Sequence, residues 1–188
     1  AGDQRVAPPA PRTADVPAGG TRVTVGLTAQ CPYGLAACWG GAYEALSTLT
    51  GVVAVAPAAD AADSTAMVHL GADDLPDLDA WPDQLARSAN GSYAFRGIEL
   101  TLDGTVERRA DQLVLVGRYP AEILLEPLRP GAELAWDLAA GRPRPATAEE
   151  RDAHRRATER VGTAVRVTGP ATMSDGRWSL AVRTIDDV

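Results

Sequence analysis

Cys31-Pro32-Tyr33-Gly34-Leu35-Ala36-Ala37-Cys38-Trp39-Gly40-Gly41 is the stretch on which the interpretation of the first half of the chain depends. It follows a run at residues 21–28 in which valine and leucine alternate with threonine and glycine, the pattern of a half-buried strand. It precedes apolar residues at helical spacing, up to residue 49. The stretch therefore predicts a tight loop between a strand and a helix, and it contains both cysteines of the chain.

Further strands and one more helix are predicted on the C-terminal side of this stretch, up to residue 97. Asp79 is a candidate N-cap for that helix, and Pro82 is tolerated in a first helical turn. The predicted elements are strands at residues 52–56, 65–70 and 93–102 and a helix at residues 79–89. With the first strand and helix they make the order βαββαβ, the split βαβ plan of ferredoxin-like folds. We therefore expect an α+β chain that begins with a ferredoxin-like sandwich.

A second element order is predicted after residue 98. Asp103-Gly104 favours a turn, and Thr147 and Glu150 have the spacing of a capping box that begins a helix. The predicted elements are strands at residues 113–116, 121–126, 163–168 and 178–185 and a helix at residues 148–160. Counting the strand before the turn, the order is β-β-β-α-β-β, that of an OB-like β-barrel with one helix. We therefore expect a flexible Pro/Ala-rich arm at residues 1–20, a ferredoxin-like domain at 21–97 and an OB-like domain at 98–188.

The charges of the chain argue against some classes of partner. The net charge is −7, and all 18 basic residues are arginine. A negative net charge argues against general binding of polyanions, so we expect no nucleic-acid partner. The first 107 residues carry a net charge of −8 and the remainder +1, which supports two modules. No apolar run approaches the roughly 18 residues that span a bilayer, so no transmembrane segment is predicted.

The start of the chain and its cysteine count bear on its compartment. The chain begins at Ala1 without methionine, as a mature exported protein does after removal of a signal peptide. An even number of cysteines is compatible with an oxidising compartment. We therefore expect an extracytoplasmic protein, either periplasmic or secreted.

Cys31 and Cys38 leave three kinds of chemistry open. A disulfide would close a loop of about eight residues and add about 2.5 kcal/mol to the free energy of unfolding. If reduced, the pair could bind a soft metal ion through thiolates, and a position at a helix N-terminus would lower the thiol pKa of Cys38. Free or redox-active thiols are the third alternative. The disulfide is favoured because it suits an exported chain with two cysteines.

Residues 21–97 resemble a heavy-metal-associated domain. The shared features are the first strand, a cysteine-containing loop, a second cysteine at the start of the first helix, and Gly51-Val52 opening the second strand. The resemblance implies a ferredoxin-like fold and a soft metal ion, chiefly Cu(I), held by Cys31 and Cys38. Members of the family typically carry a Cys-x-x-Cys pair preceded by methionine, whereas six residues separate the two cysteines here and that methionine is absent.

An arginine-rich segment in the second half is a candidate binding face. A basic stripe next to an OB-like order would point to nucleic acid. Clustered stacking aromatics of the kind that single-strand binders use are missing, and acidic residues interleave with the arginines as helical ion pairs. The segment therefore predicts a docking face for a protein, and its candidate residues are Trp136, Arg142, Arg144, Arg151 and Arg155.

The sequence carries no arrangement of side chains that identifies a catalytic site. His69 and His154 are the histidines of the chain, and no motif joins either to a nucleophile. We therefore expect a non-catalytic, exported accessory subunit that docks on a larger complex of the cell envelope and needs no cofactor. The alternative is an extracytoplasmic Cu(I) carrier that uses Cys31 and Cys38, and an enzyme is the third hypothesis.

Overall fold

The structure is a computed structural model that describes residues 20–71, 75–118 and 120–188. The predicted arm at residues 1–20 lies, apart from Gly20, outside the described residues. The elements are β1 (Arg22–Ala29), α1 (Gly34–Ala37), α2 (Trp39–Ser47), β2 (Val52–Val55), β3 (Thr65–Leu70), α3 (Trp81–Ser88), β4 (Tyr93–Arg109), β5 (Gln112–Gly117), β6 (Glu122–Pro127), β7 (Trp136–Asp137), β8 (Arg142–Pro143), α4 (Ala148–Thr158), β9 (Ala164–Ser174), β10 (Arg177–Val182) and β11 (Thr184–Asp187). The chain is therefore mixed α+β, as predicted, and most of its regular structure is sheet.

Nine of these strands form one sheet, in the order β11-β9-β10-β6-β5-β4-β1-β3-β2. β9 also pairs with β4, which makes part of the sheet ring-like. β6 and β10 pair in parallel, whereas the other neighbouring strands of this sheet are antiparallel. β7 and β8 form a small hairpin outside the sheet.

β4 is a strand of 17 residues that belongs to both halves of the chain. It pairs with β1 over residues 93–101, with β9 over residues 98–105 and with β5 over residues 104–109. The strand passes through residue 97, where the sequence predicts a domain boundary, without a break. The division into two domains stays a prediction.

The predicted turn at Asp103-Gly104 is wrong, because β4 continues through both residues and the chain reverses after it, around Ala110, where φ is 50°. Asp103 is held in the ladder by two hydrogen bonds from Arg166 of β9. At Gly104 a Cβ atom would lie 2.6 Å from the Val116 carbonyl oxygen. The glycine therefore allows close approach of β5 rather than a reversal of the chain.

The core is a continuous cluster of buried apolar side chains that extends through both halves. The alternation of β1 buries Val23, Val25 and Leu27 completely, and Trp81 of α3 belongs to the same cluster. In the second half the cluster contains inward-facing residues of the ring-like strands and two alanines of α4, which are Val106, Leu115, Ile123, Val165, Val167, Leu180, Ala153 and Ala157. Burying each large side chain contributes roughly 1.5–3 kcal/mol.

The helix ends test the capping predictions. The capping box of Thr147 and Glu150 is present at the start of α4, as predicted. Asp79 is not an N-cap: the Asp77 carboxylate instead accepts from the Asp79 N–H at 3.2 Å, in a short 3-10 helix that precedes α3. The N-cap of α3 is Ala80, one residue later than predicted, because the residues around Asp79 adopt this tighter turn first.

Candidate functional site

Cys31 and Cys38 are joined in a disulfide, as the sequence favours. The closed loop contains α1, whose Leu35 is buried in the core, and Cys38 is the N-cap residue of α2. The Tyr93 hydroxyl donates to the Cys38 carbonyl oxygen at 2.6 Å, which attaches the loop to β4. Burial raises the pKa of Tyr93 above its usual value. Because both sulfurs are in the disulfide, this pair offers no thiolate to a metal ion.

A long connection between β6 and α4, residues 129–146, crosses the face of the sheet, and we call it the strap. Its Leu134 lies directly over Gly26 of β1, where a Cβ atom would approach the Leu134 Cδ1 atom to 2.9 Å. The glycine in an otherwise alternating strand is thus explained by the strap above it. The strap carries the β7–β8 hairpin and three of the predicted docking residues, Trp136, Arg142 and Arg144.

Arg96 of β4 holds the strap in place. Its guanidinium donates to the Leu134 carbonyl oxygen at 2.7 Å and to the carbonyl oxygens of Asp63 and Ser64 at 3.2 and 2.5 Å. It also lies 4.6 Å from the centre of the Trp136 ring, within the range of a cation–π interaction. Burial lowers the pKa of Arg96 to about 10, against the opposing effect of Asp63. The side chain therefore stays charged at neutral pH while it joins the strap to the turn before β3.

A cleft of about 450 Å³ lies between the strap and the sheet. Thr24 of β1 pairs with Met67 of β3 on one side and Glu99 of β4 on the other, so these residues form one row across the sheet. All three line the cleft, together with Ala56, Ala58, Ala59, Asp60, Asp63, Thr65, Leu134, Ala135, Arg144 and Arg183. The cleft therefore has a mixed lining of small apolar side chains and five charged ones.

The charged side chains of the cleft are bound within the fold. Arg183 donates to both carboxylate oxygens of Glu99, at 2.7 and 2.5 Å, and to Glu150 of α4 at 3.2 Å. Arg144 donates to the Asp63 carboxylate at 2.8 Å. The Asp60 carboxylate accepts from the backbone N–H groups of residues 62 and 63. Each charge in the cleft therefore has a partner that fixes one element to another or closes a turn.

These contacts shift the ionisation of the paired groups. The hydrogen bond to Glu99 raises the pKa of Arg183, against the effect of burial. Burial would raise the pKa of Glu150, but hydrogen bonds from the backbone N–H of Thr147 and from Arg183, with the charge of Arg183, hold it below its usual value. Both shifts favour the charged forms and so strengthen the pairing.

The predicted docking residues occupy two places. Trp136, Arg142 and Arg144 lie together on the strap, whereas Arg151 and Arg155 lie on α4. Arg151 donates to the Ala146 carbonyl oxygen at 2.5 Å, and Arg155 pairs with Asp152 of its own helix and with Glu159 at the end of that helix. Arg142 is exposed and makes no ion pair with any residue that the structure describes. The docking face stays a prediction, and its strap residues are the ones that lie close together.

Sequence reasoning missed the residues that organise the cleft, Arg96, Glu99 and Arg183. The signal for Glu99 was available, since it stands between Ile98 and Leu100 and alternation places it on the opposite face of the strand. Its partner Arg183 lies 84 residues away in the sequence, and no local pattern joins the two. The histidines are separate from this network: His154 contacts the Leu125 carbonyl oxygen, and burial followed by the charge of Arg22 lowers the pKa of His69.

Within residues 20–71, 75–118 and 120–188, no group of three or more His, Cys, Asp or Glu side chains is arranged to hold a metal ion. Among the helices that the structure describes, none has the length and apolar character needed to cross a membrane. The resemblance of residues 21–97 to a heavy-metal-associated domain stays an expectation. No family model, curated protein or solved structure matches the chain.

Proposed function

We propose that the chain is a non-catalytic accessory subunit that docks on a larger protein complex of the cell envelope. The observation that carries the proposal is that the charged side chains in the cleft bind to other parts of the fold. Arg183, Glu99 and Glu150 join β4, α4 and the segment between β10 and β11, and Arg144 with Asp63 attaches the strap. Groups that acid–base chemistry would need are thus committed to holding a rigid scaffold, which suits a binding role.

Two strand orders support a finer description of that scaffold. The order β4-β1-β3-β2, with α2 after β1 and α3 after β3, supports a ferredoxin-like module. The ring-like order β4-β5-β6-β10-β9, with α4 between β6 and β9, supports an OB-like module. In this proposal the two modules share β4. Both architectures serve many unrelated interactions, so the site rather than the fold must carry the function.

The disulfide supports placement outside the cytoplasm, because such bonds persist in oxidising compartments. It also separates the proposal from a Cu(I) carrier, which needs both cysteines as thiolates. The proposed function is compatible with a disulfide between Cys31 and Cys38, whereas a Cu(I) carrier needs both cysteines reduced.

The proposal is tested by isolating the tagged chain from its native host after reversible crosslinking. We expect a defined protein partner at constant stoichiometry in the envelope fraction, together with an intact mass that shows no free thiol before reduction. The complex should persist in Cys31→Ser/Cys38→Ser, which cannot hold Cu(I) through these residues. A chain that is isolated alone, alkylates at two thiols without reductant and retains one Cu(I) would contradict the proposal and support the carrier.

A further inference from the structure

The largest exposed apolar side chain of the described residues lies on the disulfide loop. Tyr33 is 82% exposed, and Leu138, in the turn between β7 and β8, is 50% exposed. The two come from distant parts of the sequence, but the Leu138 Cδ1 atom lies 3.7 Å from where a Cβ atom of Gly34 would be. We call this surface the Tyr33–Leu138 patch, and exposed Pro32, Ala139 and Ala140 extend it along the two loops.

The patch belongs to an uncharged part of the chain. Residues 23–43 contain no charged side chain, although 23% of the chain is charged, and residues 138–141 contain none either. Surfaces that bind proteins are depleted in charge at their centre and enriched in tyrosine and arginine. An exposed tyrosine and leucine on two neighbouring uncharged segments, bordered by Asp137 and Arg142, therefore have the composition of the centre of an interface with a charged rim.

Both loops are braced by bonds within the fold. The disulfide closes the loop that carries Tyr33. In the other loop the Asp137 carboxylate accepts from the Ala140 N–H at 2.9 Å, and the Gly141 N–H donates to the Asp137 carbonyl oxygen at 2.8 Å. Arg96 fixes the strap that carries this hairpin. Surface loops that are ordered before binding lose less conformational entropy in a complex.

We infer that the Tyr33–Leu138 patch is the surface through which the chain docks on its partner protein. The partner presents an apolar pocket with an acidic edge, that is, a carboxylate side chain at the border of the pocket. This inference rests on the proposed docking function. The acidic edge follows from Arg142, whose backbone pairs with Asp137, the residue before Leu138. Its guanidinium is exposed and has no ion-pair partner in the described part of the chain, whereas Arg144 is neutralised by Asp63.

The charge of the chain favours a protein over a lipid surface as the occupant. The net charge of −7 opposes approach to an anionic bilayer. Stable attachment to anionic lipid through an amphipathic surface normally uses several basic residues, and the patch has one unpaired arginine beside it. A single cation beside an apolar contact instead suits one matched carboxylate on a protein.

The first experiment places photoreactive benzoyl-phenylalanine, one position at a time, at residues 33 and 138 and at two matched controls in the native host. The controls are Val53 and Val161, which are 48% and 44% exposed and lie in β2 and after α4. We expect one protein to crosslink from residues 33 and 138 and not from 53 or 161. Near-UV circular dichroism and the intact disulfide verify that each variant folds.

The second experiment measures binding of that purified partner by calorimetry. We expect Tyr33→Ser and Leu138→Ser each to weaken binding at least about tenfold, as loss of a central contact does, and Val53→Ser to leave it unchanged. Arg142→Glu should slow association more strongly at low salt than at high salt, because it opposes the acidic edge. Unchanged affinity in both Tyr33→Ser and Leu138→Ser would overturn the inference.

The remaining outcomes separate this inference from the function on which it rests. Crosslinking from residues 53 or 161 alone would overturn the patch and leave the docking function standing. An absence of crosslinks from all four positions would count against both. Binding of the wild-type chain to vesicles of anionic phospholipid, lost in Tyr33→Ser, would replace the partner protein with a membrane surface and so overturn the inference.

Discussion

The Glu99 side chain is buried in the middle of β4, at 5% exposure, where an unpaired carboxylate would be strongly destabilising. Arg183 supplies the opposite charge and hydrogen bonds to both carboxylate oxygens, while the same guanidinium reaches Glu150 in the first turn of α4. One arginine therefore satisfies two carboxylates on two elements. At the scale of single residues, loss of this triad should therefore cause the greatest decrease in the free energy of unfolding.

Arg183→Met should lower the free energy of unfolding by about 3 kcal/mol, because it leaves Glu99 buried without its cation. The matched control is Arg166→Met, which breaks the exposed pair with Asp103 and should cost less than about 1 kcal/mol. Urea denaturation at neutral pH measures both. Equal effects of the two substitutions would show that the Glu99 pair is no more important than a surface ion pair.

Glu150 adds a pH dependence to the same network. Its pKa is lowered in the folded chain, so its contribution to stability is complete above its usual pKa, near 4.5. That contribution should disappear as the pH falls from about 4.5 through the lower pKa of the folded state. Glu150→Gln keeps a residue that can complete the capping box and removes the titration. Denaturation between pH 3 and 7 should therefore give a flatter curve for Glu150→Gln, and identical curves would refute this role.

At the scale of elements, Arg96 of β4 connects the strap to the sheet, because it donates to the Leu134 carbonyl oxygen of the strap and to the carbonyl oxygens of Asp63 and Ser64 before β3. Arg96→Met should release the strap while the sheet stays folded, because the core of β4 is formed by other residues. Digestion with a protease of broad specificity should then cut within residues 129–146 much earlier than in the wild type. Arg87→Met on α3 is the control, since that arginine is exposed and far from the strap in sequence. Equal cutting rates in both variants would show that Arg96 does not hold the strap on the sheet.

The disulfide loop is the second element whose contribution can be measured. Cys31→Ser/Cys38→Ser should lower the free energy of unfolding by roughly 2–3 kcal/mol, because the unfolded chain regains the entropy of an open loop. Intact mass under non-reducing conditions establishes the bond in the wild type. Reduction of the wild type without any change in stability would contradict the effect.

The sequence predicted features that depend on residues close together in the chain, and it did not predict features that depend on contacts between distant residues. The alternation of β1, the limits of β3 and the capping box of α4 depend on residues a few positions apart, and each was predicted. The continuation of β4 through Asp103 was not, because it depends on Arg166, which lies 63 residues away. The cleft was missed for the same reason. Its predicted neighbours, Trp136 and Arg144, gain their positions from Arg96 and Asp63, which no local motif connects to them.

At the scale of the whole molecule, β4 is the element through which the two halves influence each other. Its first part pairs with β1 and its last part with β5, and β9 pairs along its middle. The buried cluster is continuous from α2 to the ring-like strands. A loss of packing in one half should therefore lower the stability of the other.

Leu46→Ala tests this coupling, since Leu46 of α2 is fully buried and its truncation should cost about 2–5 kcal/mol. Under native conditions, hydrogen exchange should accelerate to a similar extent in β1 and in β6, which belong to different halves. Val53→Ala, at an exposed position of β2, is the control and should change neither. Faster exchange confined to β1, β2 and β3, with β5 and β6 unchanged, would mean that the halves unfold independently despite their common strand. Coupled exchange would instead mean that β4 carries destabilisation from the disulfide half into the ring-like half.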